Sequence, residues 1–418
     1  MHIIIVGGGI GGLALAAGLR RHEFEVSVFD RDLDITQTGG YHITLDGRAQ
    51  AALQELVAPE IFERLLGSSS ALRLRARDAF WDRHGRLLGH GPRLDDNPGV
   101  DIDRITLRTI LADAVGADLR LGSPVTEIAR TATGAPQAVF ADGSTVPGDL
   151  LVGADGAHSL VARRLAGRPT NRPTGIIGFS GRTGAGDLGA TERHRLGSRS
   201  SMVLGPHTTA LYIGFLDPVG NAVLDTPRPR EAITTGPTYI WGAMFAESPA
   251  TDALRALQGT ELRSALLTAF DREGWRRSAL EVVERAEPGS IAAFRFNAAS
   301  TRAGDLAPWP AGTVTALGDA VHATPPTAGM GAGAAIRDAA SLVTGLRAVA
   351  AGTVTMPVAV SRFEADMRVR GSEVLVAAMR TVRLMRATGS PLGAGATTAT
   401  ASVLATARLL GRRRFTSV

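Results

Sequence analysis

Residues 1–30 read MHIIIVGGGI GGLALAAGLR RHEFEVSVFD. Ile3, Ile4, Ile5 and Val6 make a short run rich in β-branched residues that stops at Gly7, the pattern of a strand buried on both faces. Gly7, Gly9 and Gly12 follow with the spacing GxGxxG, and 13–21 is apolar at helical spacing. A second strand over 25–29 ends at Asp30, about 20 residues beyond the glycines. The spacing predicts a strand–helix–strand unit whose loop grips a dinucleotide. Gly7 permits a tight turn, Gly9 lets backbone approach a pyrophosphate, and Gly12 lets helix and strand pack closely. The helix start offers unpaired N–H groups and a positive dipole end to phosphate. Asp30 is placed to accept hydrogen bonds from ribose hydroxyls and to repel a 2′-phosphate, which disfavours NADP here and leaves NAD and FAD open.

Two later stretches repeat the theme of a strand that delivers glycine and aspartate. LLVGA at 150–154 runs into Asp155-Gly156, with Ser159 just beyond. TVTAL at 313–317 runs into Gly318-Asp319, then His322, Pro325-Pro326 and Gly329-Met330-Gly331-Ala332-Gly333, and a helix to about residue 350. Other such pairs lack this setting. Asp142-Gly143 sits between short alternating strands and reads as a hairpin turn. Gly148-Asp149, Gly186-Asp187 and Gly304-Asp305 have neither the strand before nor the Gly-rich helix start after. Further helices are expected over 47–56 and 104–115, and short strands over 118–125, 138–141 and 150–152.

Together these residues resemble the class A FAD-dependent monooxygenases, the para-hydroxybenzoate hydroxylase-like family. The resemblance covers most of 1–350. Ile102-Asp103-Arg104 with Leu107, and 318–331, look most like its tetracycline-modifying and polyketide-tailoring branches. It implies an α/β chain with a Rossmann-like FAD-binding domain from 1–70, 101–168 and 300–350. Interleaved with it is a mixed or antiparallel-sheet substrate domain from 71–100 and 169–299, and a C-terminal helical segment spans 351–418. It also implies FAD held without a covalent bond and NAD(P)H as a transient co-substrate with no domain of its own. By position, Gly7, Gly9, Gly12, Asp30 and Arg31 go to the adenosine and pyrophosphate, and Arg104 to the phosphate–ribityl part. Asp155 sits beside the pyrophosphate, Asp319 accepts from ribityl hydroxyls, and Pro326, Gly329, Gly331 and Ala332 lie along the flavin. The last two would turn N–H groups to its pyrimidine edge. The implied activity is reduction of the flavin by nicotinamide, addition of O₂ at C4a and transfer of one oxygen from that hydroperoxide to a substrate. The chain departs from the pattern at Ala162, where relatives usually carry Arg and this chain has Arg163 and Arg164 beside it, and at Gln37 and Thr38, where an Arg is frequent.

The composition suits a protein whose chemistry is carried by a cofactor. The 418 residues contain no Cys, and all 45 basic residues are Arg. That excludes disulfides, thiolate zinc sites, iron–sulfur clusters, a P-loop lysine, a Schiff base on pyridoxal phosphate and the lysine expected of a flavin halogenase. The net charge of +5 is modest, and no Arg cluster is interleaved with aromatics, so no nucleic-acid partner is expected. The first apolar residues run straight into glycines rather than a signal peptide. The stretch 393–410 is Thr-rich and holds Arg408, a poor membrane span. A soluble cytoplasmic monomer or homodimer is the expectation.

Residues 71–100 and 169–299 alternate like strands with many turns. Tyr239, Trp241, Ala243 and Phe245 stand at alternate positions and share one face. With Trp81, Tyr212 and Phe215 they suggest an aromatic wall over the flavin for an aromatic, polycyclic or polyketide-like substrate, while packing in an ordinary core is the competing reading. His42, Arg182 and His207 are polar candidates for guiding that substrate, the first two also for a catalytic role, whereas His322 reads as part of the cofactor loop. Two other readings share these motifs: a flavin-dependent reductase or dehydrogenase, and a non-catalytic FAD-binding partner protein.

Overall fold

The computed structural model describes residues 1–36, 38–39, 42–218 and 236–387. The opening run forms the strand His2–Val6 at the centre of a five-stranded parallel sheet. The order is Val314–Ala316, Leu150–Gly153, His2–Val6, Glu25–Phe29, Leu119–Arg120. Ile3 and Ile5 face a core shared with the helices Ile10–Arg21, Arg104–Val115 and Gly331–Ala350, while Ile4 and Val6 face Ile128, Ala138 and Val161 on the other side. Burial on both faces explains why this strand is apolar throughout rather than alternating. The second cover is a small antiparallel sheet, Val125–Arg130, Pro136–Phe140 and Thr145–Pro147, with the helix Leu160–Ala166. Asp142-Gly143 makes its hairpin turn, with Gly143 at φ +81°.

A seven-stranded mixed sheet forms the other half. Its order is Ala292–Ala299, Asn171–Gly184, Thr238–Ala246, Ala210–Leu216, Ser201–Leu204, Ala79–Asp82, Leu87–His90. Every pairing is antiparallel except that of Ser201–Leu204 with Ala79–Asp82. A three-stranded sheet, His42–Leu45, Val100–Asp103 and Ser69–Ala71, belongs to the junction: Arg75 reaches Asp101 at 2.7 Å, and Arg182 pairs with Asp103. The helix Met356–Ala387 packs along Gly331–Ala350. The part of the expected C-terminal helical segment beyond residue 387 lies outside the described residues, and the helix Pro59–Gly67 was not foreseen. Among the described residues no helix is long and apolar enough to cross a membrane.

The aromatic wall needs correcting. Tyr239, Trp241, Ala243 and Phe245 do share a face, but it is the one turned away from the dinucleotide half. They pack with Leu262, Leu266 and Phe270 of the helix Gly259–Arg272 and with Trp275, and Tyr239, Trp241 and Phe245 are all at most 3% exposed. Period two tells which residues share a face and not which face it is. Trp241 sits over Gly181, where an added Cβ would come within 2.3 Å of its ring, and its Nε1 donates to Thr183 Oγ1 at 3.3 Å. Trp241→Ala is therefore expected to destabilise the fold by about 3–5 kcal/mol with bound cofactor per folded molecule unchanged. Denaturant titration beside a cofactor assay checks this, and a loss of cofactor affinity at constant stability would return Trp241 to the site.

Candidate functional site

Three adjacent parallel strands carry the three motifs, so their C-terminal ends meet on one edge of the sheet, where ligands of open α/β sheets bind. Gly9, Ala154, Gly156, Gly318 and Asp319 line one cavity there. It continues past Arg104 and His42 to Pro326, Gly329, Gly331 and Ala332. A second cavity of about 420 Å³ opens near Arg168, Arg172 and Asp305, but none of the motif glycines reaches it.

The cavity's walls are backbone. Gly7 has φ +108°, and a Cβ on it would lie 2.4 Å from the Ala154 carbonyl oxygen. A Cβ on Gly12 would lie 2.1 Å from the Gly7 carbonyl oxygen. Those two glycines close the turn, whereas a Cβ on Gly9 or Gly331 would meet nothing nearer than 3.7 Å and would project into free space. The helices Ile10–Arg21 and Gly331–Ala350 both begin at this cavity, and neither has a side-chain cap. Elsewhere Asp46, Asp103 and Ser159 cap their helices. Helix N–H groups left without a side-chain cap at a cavity wall fit a bound anion. One helix end suits a pyrophosphate, and the other suits the negative charge of a reduced flavin.

The carboxylates divide into two kinds. Asp30 is buried and largely spent within the protein, accepting from Gly8 N at 2.5 Å and Asp32 N at 2.7 Å. Arg108, 3% exposed, spans this corner. It lies 3.3 Å from Asp30, donates to the Gly8 carbonyl at 2.9 Å and pairs with Asp32 at 2.8 Å. Arg31 is exposed. Asp155 accepts from the Ser159 hydroxyl and from Leu160 N, at 2.7 Å for the latter, so its carboxylate holds the start of the helix Leu160–Ala166 and leaves Gly156 to the cavity. Burial raises its carboxyl pKa despite those donors. Asp319 is the contrary case: protein surrounds it, but its side chain opens into the cavity. The surrounding mass raises its carboxyl pKa, which His322, the Thr324 backbone and Arg104 partly offset. Arg104 itself donates to Thr38 Oγ1 and to the Gly39 carbonyl at 3.2 Å, fixing the loop across the cavity mouth.

Behind Asp319 lies a cluster built on two fully buried side chains, His322 and Asp338. His322 Nε2 is 2.6 Å from Asp338 Oδ2, the Gly318 N–H donates to the same oxygen at 3.1 Å, and Arg370 Nε donates to Oδ1 at 3.0 Å. His322 has zero exposure and does not line the cavity.

The comparisons with known proteins agree with this geometry. An NAD(P)-binding Rossmann-like domain matches 5–47, and an FAD binding domain matches 268–358. A dual O-methyltransferase/FAD-dependent monooxygenase of Phaeosphaeria nodorum is 26% identical over 81% of this chain and 39% of its own length. The aurachin C monooxygenase/isomerase of Stigmatella aurantiaca is 27% identical over 90% of this chain and 88% of its own. The chain thus carries an FAD binding domain, and the relatives it resembles are monooxygenases. It spans less than half the length of the first of these relatives. The fold is shared with Klebsiella pneumoniae HpxO, solved with FAD and uric acid, at a TM-score of 0.75 and 21% identity over 97% of this chain and 93% of that one.

In this flavoprotein the remaining polar candidates separate. His42 lines the cavity, with Nε2 2.7 Å from Asp101 Oδ2 and Nδ1 3.4 Å from the Tyr212 hydroxyl. Tyr212 thus lies on the sheet face toward the flavin half, unlike Tyr239. Arg182 is committed to Asp103, and its backbone N–H donates to Ser290 Oγ at 2.9 Å. His207 pairs with Glu273 at 2.7 Å on the surface, away from the cavity. Phe294 and Phe296, stacked with centroids 5.6 Å apart, are the aromatics that line it. Sequence reading missed them and Arg108. Arg108 had a signal: it lies one turn after Arg104, on the same face of the helix that supplies it.

Proposed function

We propose that this protein is a monooxygenase that draws electrons from NAD(P)H and oxygen from O₂. On this reading it hydroxylates, epoxidises or inserts oxygen into an aromatic or polyketide-like small molecule, in secondary metabolism or antibiotic modification. The carrying observation is the cavity itself, with two helix N-termini free of side-chain caps and an open Asp319 carboxylate along one wall, and the Phe294–Phe296 pair along another. Bound there, FAD supplies two-electron transfer from nicotinamide and activation of O₂. The chain's residues do the rest. The Ile10–Arg21 helix start holds the pyrophosphate, and Asp319 orients the ribityl chain. Ala332 N–H and its neighbours stabilise negative charge at the flavin's pyrimidine edge. Phe294, Phe296 and the apolar face around Met244 exclude water from the reacting atoms. The relatives' names, among them an aurachin C monooxygenase/isomerase, support a specialised small-molecule substrate.

The test is NAD(P)H oxidation by the FAD-loaded protein with a substrate panel under ¹⁸O₂. The expected result is substrate-stimulated oxygen uptake and a product heavier by one labelled oxygen. Complete conversion of oxygen to hydrogen peroxide across the panel defeats oxygen transfer, and turnover under anaerobic conditions supports the reductase reading instead.

A further inference from the structure

The cavity near Arg168 and Arg172 has the chemistry of an anion site. It measures about 420 Å³, within the range of small-molecule sites. Between Asp155 and Asp187 the chain carries five arginines and no acidic residue, and Arg168 and Arg172 are the two that line this cavity. Arg168 follows the helix Leu160–Ala166 after Gly167, which turns the chain at φ +66°, and Arg172 stands at the opening of the strand Asn171–Gly184. Both are exposed, and among the described residues neither guanidinium has a hydrogen-bond or ion-pair partner. Arg75, Arg108, Arg182 and Arg370, by contrast, each meet a carboxylate. A free guanidinium fork matches phosphate oxygens bidentately, and two on one cavity wall favour a dianion.

The walls around the two arginines are fixed. On one side Asn171 Nδ2 donates to the Ala157 carbonyl at 2.5 Å, and the Thr170 hydroxyl donates to the Ala320 carbonyl at 2.9 Å. On the other, Ala307 has φ +46°, a left-handed conformation that costs an alanine about 1–2 kcal/mol. Arg368 holds it there, donating to the Leu306 carbonyl at 2.8 Å and to the Ala307 carbonyl at 2.7 Å. Ser372 Oγ, on the same helix, donates to the Thr301 carbonyl at 2.8 Å. A cleft pinned on both sides leaves a ligand little to order beyond the two arginine side chains.

Asp305 adds a carboxylate to the same cleft. Its Oδ2 accepts from Ser300 Oγ at 2.7 Å, and no ion pair joins it to either arginine. Cations and carboxylate therefore stand apart, which divides the cleft as a nucleotide requires: arginines for phosphate, a carboxylate for ribose hydroxyls. The cleft also shares a wall with the cofactor cavity. Ala298 and Ala299 line the cleft, while Phe296 and Asn297 of the same strand line the cavity. Ala157, which Asn171 holds, and Ala323, whose carbonyl accepts from the Ala299 N–H at 2.9 Å, line the cavity as well.

We propose that the Arg168–Arg172 cleft is a second nucleotide site, which takes the phosphorylated ribose of a nucleotide without overlapping the FAD cavity. That group has two sources: the adenosine end of the nicotinamide donor, or a free nucleotide acting as an effector. As the donor's anchor the cleft rests on the monooxygenase reading, whereas nucleotide binding by itself does not.

The probes are adenosine 2′,5′-bisphosphate and inorganic phosphate, titrated calorimetrically into FAD-loaded protein. Saturable binding of the nucleotide is expected, tighter than that of phosphate. Arg168→Gln and Arg172→Gln together should weaken it at least tenfold, and either alone about threefold. FAD content and the unfolding midpoint should stay unchanged, since both side chains are exposed. Asp305→Asn should weaken the nucleotide about threefold and leave phosphate binding no weaker. A raised KM for NADPH with kcat kept in the double variant, together with competition between nucleotide and NADPH, assigns the cleft to the donor. Nucleotide binding that leaves the KM for NADPH alone assigns it to a free nucleotide. Absence of saturable binding, equal binding by the double variant, or a nucleotide that binds no more tightly than inorganic phosphate overturns the proposal. Substrate-dependent incorporation of labelled oxygen, measured on the same samples, reports separately on the monooxygenase reading.

Discussion

Asp338→Asn is expected to lower the free energy of unfolding by about 3–5 kcal/mol and to loosen FAD with it. Asp338 has zero exposure, and its carboxylate gathers three groups: the Gly318 N–H, His322 and Arg370. Losing that charge leaves Arg370 a largely buried cation without its partner and takes from buried His322 the carboxylate that favours its charged form, which is why breaking such a cluster costs more than the cluster was worth when formed. The Gly318-Asp319 loop and the Gly331–Ala350 helix start are both tied to it, so the cofactor cavity opens as the cluster fails. Burial alone lowers the His322 pKa, but Asp338 and Asp319 raise it above its ordinary value. Burial alone raises Asp338, and His322, Arg370 and the Gly318 N–H bring it below. A histidine raised by folding contributes fully below about pH 6.5 and loses its contribution as pH climbs through the folded value. A depressed aspartate contributes fully above about pH 3.9 and loses its contribution as pH falls through the folded value. The wild type is therefore flattest between about pH 4 and 6.5 as far as this pair is concerned, and Asp338→Asn should erase its decline on both flanks. Urea titrations across pH decide it: parallel stability–pH curves for the two proteins remove the pair from the account.

The dinucleotide half was legible because its signals are backbone signals. Gly7 and Gly12 exist to avoid contacts of 2.4 and 2.1 Å, and no other residue type solves that, so the letters report the geometry directly. The strands at 150–153 and 314–316 were equally plain, being short buried runs that lead into a Gly and Asp pair. The sheet half was legible only up to a reflection. Alternation at Tyr239, Trp241, Ala243 and Phe245 is satisfied on either face, and the choice depends on helices far along the chain that cover one side. Arg108 and Asp338 were missed because each looks like a charge on a helix. Only the tertiary fold shows that both are buried and gather loops distant in sequence. Asp155 was read as a cofactor contact, and the structure instead spends its oxygens on Ser159 and Leu160. The dipeptide marks the right loop even where the carboxylate's own work is to shape it.

That division predicts the second large effect: Asp319→Ala should weaken FAD binding about a hundredfold while leaving the fold nearly as stable, and Asp155→Ala should do the reverse. Asp319 keeps its carboxylate open to the cavity, so its removal deletes acceptors for the ribityl hydroxyls, each charge-assisted bond being worth about 1.5–3 kcal/mol. Two such bonds at the lower figure amount to roughly two decades of affinity. Asp155 faces the start of a helix, so its loss costs about 1 kcal/mol of stability, as a lost cap does, and affinity falls only as far as Gly156 shifts. Acid separates the two roles further. Protein mass around Asp319 raises its carboxyl pKa, so the wild type should begin to release FAD at a pH where an ordinary aspartate is still ionised. Asp319→Ala has no such group and should show a flat FAD affinity over that range. Flavin-fluorescence titrations of cofactor-stripped protein, run beside denaturant curves, measure both quantities. If Asp155→Ala sheds more FAD than Asp319→Ala, the carboxylate of the Asp155-Gly156 loop faces the pyrophosphate after all, and the assignment of Asp319 to the ribityl chain falls.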